Sequence, residues 1–481
     1  MFNRFRGVYM RYAAHHKPAA AVSHGLGAAT RWLPFDHGTG LRFLRDALGA
    51  LPAALCWYLT RGPGWKAKVK TRLGLTMDER APPPDPQWTQ QLIQALGKAA
   101  ACAEGRVPIY LAHSLGGGAD QHLKREIDAR LAKQQSAVVL RFGGALRVQV
   151  ELCRPEGRLI AAAPDLALTH HLLAPLTKRR IIYSCAVGDS DPLTLPQFML
   201  DLAGKDAEIE IRFHDYFPVS PSYCLLDKGD QYRGPVTAAR SDPAHQITRP
   251  DGNLVCLPAW QAAWRPVLKA AARLLVYSND SHDHVVAAFP ELSGRISITP
   301  HMPTWETARV TPDLTQDRMV IGVLGNIAPQ KGAALICDLA HRLRAQPHMS
   351  LALIGTLDPA FKLPRSALTH GPYHPEEIAG LARRYGITCW LIPSIWPETF
   401  SFTTHEALAT GLPVMSFDIG AQGDATARAP NGYPISFMAD GDLPGAVLDR
   451  VRDLPCRPGQ SPPERCPPRH IAYGHALPRS P

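Results

Sequence analysis

From Val107 onward, short apolar runs alternate with stretches of helical period, and they do so in two consecutive series. No other feature constrains the fold as much. Short apolar runs bounded by turns are strands buried on both faces. A helix between two such runs returns the chain, so that the strands lie parallel. In the first series Pro108–His113, Ser136–Phe142, Glu208–Phe213, Arg273–Tyr277 and Arg295–Thr299 read as strands, with helices over Gln121–Lys133 and Trp260–Ala271. In the second, Met319–Gly325, Leu351–Gly355, Ile387–Pro393 and Pro413–Phe417 read as strands, with helices over Gly332–Leu343, Glu376–Tyr385 and Phe402–Thr410. The class is α/β, with two Rossmann-like domains, 107–300 and 319–454, joined by a polar linker, 301–318. Such sheets bind ligands at the carboxyl ends of their strands, so the cleft between the two domains is the expected site.

The two ends of the chain are different. Residues 1–106 read as a mostly helical extension, broken at Ala81–Pro86 and followed by a short helix over Trp88–Ala103. Residues 1–80 hold thirteen Lys/Arg against four Asp/Glu, which accounts for nearly all of the formal net charge of +10. A basic end of this kind suits an anionic lipid surface or a nucleic acid, or is a plain solvated face. Of the two partners, a membrane surface is the one expected. The apolar run Ala47–Leu59 has 13 residues. It is short of the roughly 20 that a membrane-spanning helix needs, and fits either an interfacial helix or one packed on the body. The start, Met1–Pro18, is basic without a following apolar stretch and cleavage site, and the ten Cys show no C-x-x-C pair. Both points favour a cytoplasmic protein with reduced thiols, peripheral on the membrane at most. From Pro455 the tail carries eight Pro in 27 residues and reads as disordered.

The chemistry is concentrated in Pro397–Val414, PETFSFTTHEALATGLPV. Glu398 falls in the loop above a strand, and Glu406 in the first turns of the next helix. Between them the amides around Phe400, Ser401 and Phe402 form a helix amino terminus, which suits a diphosphate. A second candidate is IGVLGNIAPQKG, Ile321–Gly332. Here Gly322 and Gly325 allow close backbone approach, and Lys331 can reach a phosphate as a point charge. A third is HSLGGGA after the first strand, where Gly116, Gly117 and Gly118 make a strand-to-helix turn. A fourth is RFHDYFPVSP, with His214 and an adjacent Asp215 as its possible orienting partner.

Glu398 and Glu406, followed by Ala407, Ala409, Gly411, Pro413 and Val414, match the E-x7-E and A-x-A-x-G-x-P-V signature of glycosyl transferases group 1, family 4. The chain resembles these retaining GT-B enzymes over about residues 107–440. The resemblance implies two Rossmann-like domains facing across a cleft, and transfer of a sugar from a UDP- or GDP-linked donor to an acceptor hydroxyl. It implies that Glu398 contacts the donor sugar, that Glu406 holds the ribose hydroxyls, and that Lys331 and the glycine loop face the phosphates. His214 would approach the donor sugar. The runs HDYFPVSPSYCLLD, VYSND and ITPH, with Ser278 and His301, are similar to a bacterial subgroup that builds envelope or extracellular polysaccharide, whose acceptors are saccharides or lipid-linked saccharides. Two departures stand out. Asn326 occupies the place of a usual phosphate-binding Arg, and His301 that of a usual Asn-Gly. After Phe417 only one short helix, Asp442–Asp453, is expected, less than such enzymes usually have.

With cations and helix termini to take the leaving group's charge, and no D-x-D motif in a suitable loop, metal-independent transfer is expected. Neither a metal nor a cofactor is called for, since the nucleotide sugar is a substrate. Two other readings stay open. A sugar-nucleotide-binding protein without turnover would tolerate Asn326. AHSLGG, Ala112–Gly117, resembles a nucleophile elbow and would make Ser114 the nucleophile of an α/β-hydrolase.

Overall fold

The computed structural model describes residues 86–454, apart from 104, 114–117, 145, 206, 302–306 and 312–317. The basic extension up to residue 85, with its run Ala47–Leu59, and the Pro-rich tail lie outside the described residues, as do Ser114, Gly116 and Gly117.

Among the described residues the first domain is built on an eight-stranded sheet. Its strands are β1 (Val107–His113), β2 (Ala137–Phe142), β3 (Val148–Arg154), β4 (Gly157–Ala163), β5 (Arg179–Tyr183), β6 (Glu208–Arg212), β7 (Arg273–Val276) and β8 (Ile296–Ile298). They lie in the order β8-β7-β6-β5-β1-β2-β3-β4. All neighbours are parallel except β2–β3 and β3–β4. Every residue of β1 is buried, as a strand covered on both faces requires. The helices of this domain are α1 (Pro86–Cys102), α2 (Gly118–Ala132), α3 (Leu166–Leu172), α4 (Leu195–Ala203), α5 (Leu257–Ala270) and α6 (Asn279–Ala288). Leu92, Ala95, Leu96 and Ala99 recur on one face of α1 and are buried in the main core. That stripe packs on β3 and β4, so α1 covers the first sheet.

The second sheet has six strands, all parallel: β9 (Met319–Ile327), β10 (Met349–Leu357), β11 (Leu368–Thr369), β12 (Cys389–Ile392), β13 (Val414–Phe417) and β14 (Gly432–Ile435), in the order β11-β10-β9-β12-β13-β14. Helices α7 (Ala333–Arg342), α8 (Ile378–Arg384), α9 (Phe402–Ala409), α10 (Gly420–Arg428) and α11 (Leu443–Arg452) cover it. Past Phe417 the chain therefore makes α10 and β14 as well as α11, more than the single helix expected. The β3–β4 hairpin was likewise not expected.

Strand order reverses at β1/β5 in the first sheet and at β9/β12 in the second, and such switch points open crevices at the carboxyl ends of the strands. The two crevices meet at the domain junction. There Thr399 Oγ1 donates to the His214 carbonyl at 2.9 Å, and Ser281 Oγ donates to the Thr399 carbonyl at 3.4 Å. Helix α6 of the first domain packs on α10 of the second, and Arg233 grips Asp440 through two hydrogen bonds of 2.9 and 2.7 Å. Two Rossmann-like domains with their switch points face to face make the GT-B architecture.

Candidate active site

The second domain supplies a charged cluster at its switch point. After β9 the chain makes a 3-10 turn, Pro329–Lys331, and Gly332 then adopts φ +84° to enter α7. A Cβ on Gly332 would sit 2.1 Å from the Pro393 carbonyl oxygen, so only glycine lets this turn lie against the end of β12. Ile395 N–H donates to the Gln330 carbonyl at 3.1 Å. The result is Lys331 Nζ at 3.7 Å from Glu398 Oε1.

Glu398 is 3% exposed. Its Oε1 also accepts from Ser394 Oγ. Its backbone is clamped by the start of α10: Glu398 N–H donates to Gln422 Oε1 at 3.1 Å, and Ala421 N–H donates to the Glu398 carbonyl at 2.8 Å. Gly420, at φ +63°, is required beneath it, because a Cβ there would fall 2.5 Å from Glu398 N. Glu406, in α9, is 6% exposed and accepts from Tyr373 Oη at 3.2 Å. Burial pushes its carboxyl up to about 7, against the Tyr373 hydrogen bond and the nearby Lys331 and Arg125, which favour the ionised form.

Between the two glutamates, Ser401 is the N-cap of α9, but its side chain makes no capping bond. Its hydroxyl instead accepts from Thr404 Oγ1 at 2.8 Å. The first-turn amides of α9 are thus not capped by the helix's own Ser401. Phe400 stacks on His405 at 4.7 Å, and Phe402 reaches the first domain, where a Cβ on Gly118 would come within 2.9 Å of its ring. The amino ends of α2 and α9, one from each domain, therefore meet at Gly118 and Phe402.

From the first domain comes His214, just past the end of β6. Its Nδ1 lies 3.1 Å from Ser184 Oγ and 3.2 Å from the Ser184 carbonyl, so Ser184 orients the ring. Asp215 does not: it accepts from the Phe217 amide at 2.9 Å, and burial pushes its carboxyl up to about 6. The chain bends past the end of β6 at His214 and Asp215, and the Asp215 carboxylate turns to the backbone two residues on instead of to the ring. Burial, with His301, His122 and Arg212 nearby, keeps His214 well below the usual imidazole range and hence neutral.

The sequence-predicted residues thus gather as follows. Lys331, Glu398, Glu406, Phe400, Ser401, Phe402, Gly118 and His214 come together at the junction. Gly325 borders it: φ is +114°, and a Cβ would meet Thr403 Cγ2 at 3.1 Å. Asn326 is exposed and accepts from Thr356 Oγ1 at 2.8 Å. Gly322 is a correction. A Cβ there would strike Trp390 and Ile387 at 2.6–2.7 Å, so this glycine serves sheet packing and not ligand approach. Sequence reasoning gave no role to Ser184, Tyr373, Ser394, Gln422 or Tyr277, the last of them inside the run VYSND, because they act through contacts between distant segments.

A Ser–His–Asp arrangement does exist, on residues other than Ser114. Ser220 Oγ lies 2.6 Å from His245 Nδ1, and His245 Nε2 lies 2.9 Å from Asp227 Oδ1. Ser220 and His245 are both 0% exposed. Their polar atoms are already engaged with one another and with Asp227, so this buried network fastens the segment between β6 and α5. Among the described residues no group of three or more His, Cys, Asp or Glu is placed to hold a metal ion, and no helix is long and apolar enough to cross a membrane.

No protein-family model matches the chain. A stretch of 145 residues is 28% identical to the MMP alpha-(1->4)-mannosyltransferase of Mycolicibacterium hassiacum, covering 28% of this chain and 34% of that protein. The chain thus spans about a third of the length of the curated relative it matches. Similar solved structures include sucrose-phosphate synthase from Thermosynechococcus elongatus (14% identity, 72% of this chain and 90% of that one, TM-score 0.47). Another is Anabaena HepE in complex with UDP-glucose (15%, 72% and 90%, TM-score 0.46). A third is the catalytic domain of starch synthase IV from Arabidopsis thaliana bound to ADP and acarbose (13%, 73% and 92%, TM-score 0.43).

Proposed function

We propose that this protein is a glycosyltransferase that moves a hexosyl group from a UDP- or GDP-linked donor to an acceptor hydroxyl. The reading rests chiefly on one observation: Lys331, Glu398 and Glu406 converge at the switch point of the second domain, beside the amino end of α9. In this reading Glu406 accepts hydrogen bonds from the ribose hydroxyls. Lys331 and the α9 amides take the negative charge that grows on the departing diphosphate, the task that limits such a reaction. Glu398, held by Ser394 and Gln422, contacts the donor sugar. His214 faces it from the other domain with a neutral ring that can donate or accept.

The acceptor oxygen forms a bond to the anomeric carbon as the carbon–phosphate oxygen bond breaks, and the leaving phosphate takes the acceptor's proton. Attack from the side of the leaving group gives retention of configuration. Charge is handled by Lys331 and helix amides, so transfer proceeds without a divalent cation. The resemblance to polysaccharide-building enzymes makes a saccharide or lipid-linked saccharide the acceptor. The basic residues of the amino-terminal region would bring the protein to an anionic, cytoplasmic membrane face.

The test is release of free nucleotide from UDP- and GDP-sugars in the presence of mixed saccharide acceptors, with and without a chelator. Chelator-resistant turnover that Glu398→Gln abolishes supports the proposal. Nucleotide binding without turnover would instead make this a sugar-nucleotide-binding protein, the reading that the cation-free Asn326 position favours.

A further inference from the structure

We infer that Tyr277 and His301, together with His214, form a hydrogen-bonding wall that reads the hydroxyl groups of a sugar held in the cleft; this deepens, and rests on, the function proposed above. Tyr277 directly follows β7, and His301 lies beyond β8, at the start of the linker. Their rings stack at 4.0 Å and 19°. His214 stacks on Tyr277 at 4.7 Å and lies nearly parallel to His301, at 5.5 Å and 6°. Three polar atoms of this one stack, His214 Nε2, His301 Nε2 and Tyr277 Oη, are buried without a hydrogen-bond partner. Each such atom costs roughly 1–3 kcal/mol if it stays unsatisfied, so three together mark a surface shaped for a polar ligand.

The position and chemistry narrow that ligand. His301 also touches Phe400 and Phe402 of the second domain, at 5.0 and 5.5 Å, and the His214 carbonyl accepts from Thr399, the residue after Glu398. The wall therefore adjoins the carboxylate assigned to the donor sugar. Its rings are a phenol and uncharged imidazoles: burial and the neighbouring His122, Arg212 and Arg125 hold His301 down to about 3. Uncharged donors and acceptors stacked with aromatic faces suit hydroxyls and C–H surface, whereas a phosphate would call for a cation. His301 stands where many of the resembling enzymes carry Asn-Gly, and both it and Tyr277 lie outside the E-x7-E signature.

The experiment compares full-length wild type with Tyr277→Phe, which deletes one hydroxyl and keeps the stack, and with His301→Phe. Affinities for UDP, GDP, UDP-glucose and GDP-mannose are measured by calorimetry, and KM for a saccharide acceptor by nucleotide release. Bare nucleotide binding should be unchanged. The added affinity from the donor's sugar should fall about tenfold in each variant if the donor is read, and acceptor KM should rise about tenfold if the acceptor is read. Either result supports the wall, and no change in both overturns it. If wild type binds no nucleotide, the function above fails independently. Titration of 15N-histidine-labelled protein with free glucose and mannose then decides: movement of the His214 and His301 Nε2 resonances supports the wall, and still resonances overturn it.

Discussion

Replacing Glu406 by Gln should stabilise the ligand-free protein while weakening nucleotide binding. Glu406 is 6% exposed, and its carboxyl is pushed from 4.5 up to about 7. A carboxyl raised on folding makes the native state hold a proton that the unfolded chain has lost. Stability therefore falls as pH rises from 4.5 through about 7, and levels off above. The rise from 4.5 to about 7 sets a ceiling of about 3 kcal/mol on this loss, at about 1.4 kcal/mol per pH unit. Gln cannot ionise, keeps an oxygen to accept from Tyr373, and escapes the loss. Urea denaturation should show Glu406→Gln no more stable than wild type near pH 4.5 and up to about 3 kcal/mol more stable near pH 8. Nucleotide affinity of the wild type should in turn fall by up to tenfold per unit below pH ~7, because the ribose hydroxyls need the ionised carboxylate. A stability difference that does not change with pH would refute the reasoning.

Three further outcomes are expected. Gly332→Ala must move the Pro393 carbonyl or the turn, and should destabilise by about 2–4 kcal/mol in urea titration. Gly229→Ala, at the same φ of +84° with nothing within 4 Å of the new Cβ, should lose only about 1–2 kcal/mol. The imidazole of His301 is lowered from 6.5 to about 3, so its contribution is complete above 6.5 and is lost as pH falls toward 3; His301→Phe should flatten that acid limb of the denaturation midpoint. Lys331→Ala leaves buried Glu398 without its cation, and should cost about 1–3 kcal/mol of stability by chemical denaturation.

Most of the parallel strands of both sheets were legible because they are continuous apolar runs, as in PIYLAH and CWLI, but β5 (Arg179–Tyr183), beside the first switch point, went unrecognised. Lys331, Glu398 and Glu406 were legible because strand, loop and helix bring them together within two short segments. Where the sequence reading failed, the signal was weak or non-local. β4 is an edge strand with only Ala163 fully buried, so it lacks the apolar run of a central strand. GAQGDATAR makes α10 with little apolar patterning, because Gln422 and Thr426 are buried for hydrogen bonding to Trp396, Ser416 and Glu398. Gly322 looked like a ligand glycine only because the ring it accommodates, Trp390, lies nearly seventy residues later. Tyr277 and His301 stood in the runs VYSND and ITPH, but nothing in those runs shows that the two rings stack.

The most direct test of the central claim is thermal stability against a panel of nucleotides for wild type, Lys331→Ala and Glu406→Ala. A nucleotide present at ~100 times its dissociation constant should add about 2.7 kcal/mol to the wild type. UDP or GDP should give such a shift in the wild type, and both variants should lose it. A folded wild type that no nucleotide stabilises, or a shift that survives in both variants, would contradict that claim.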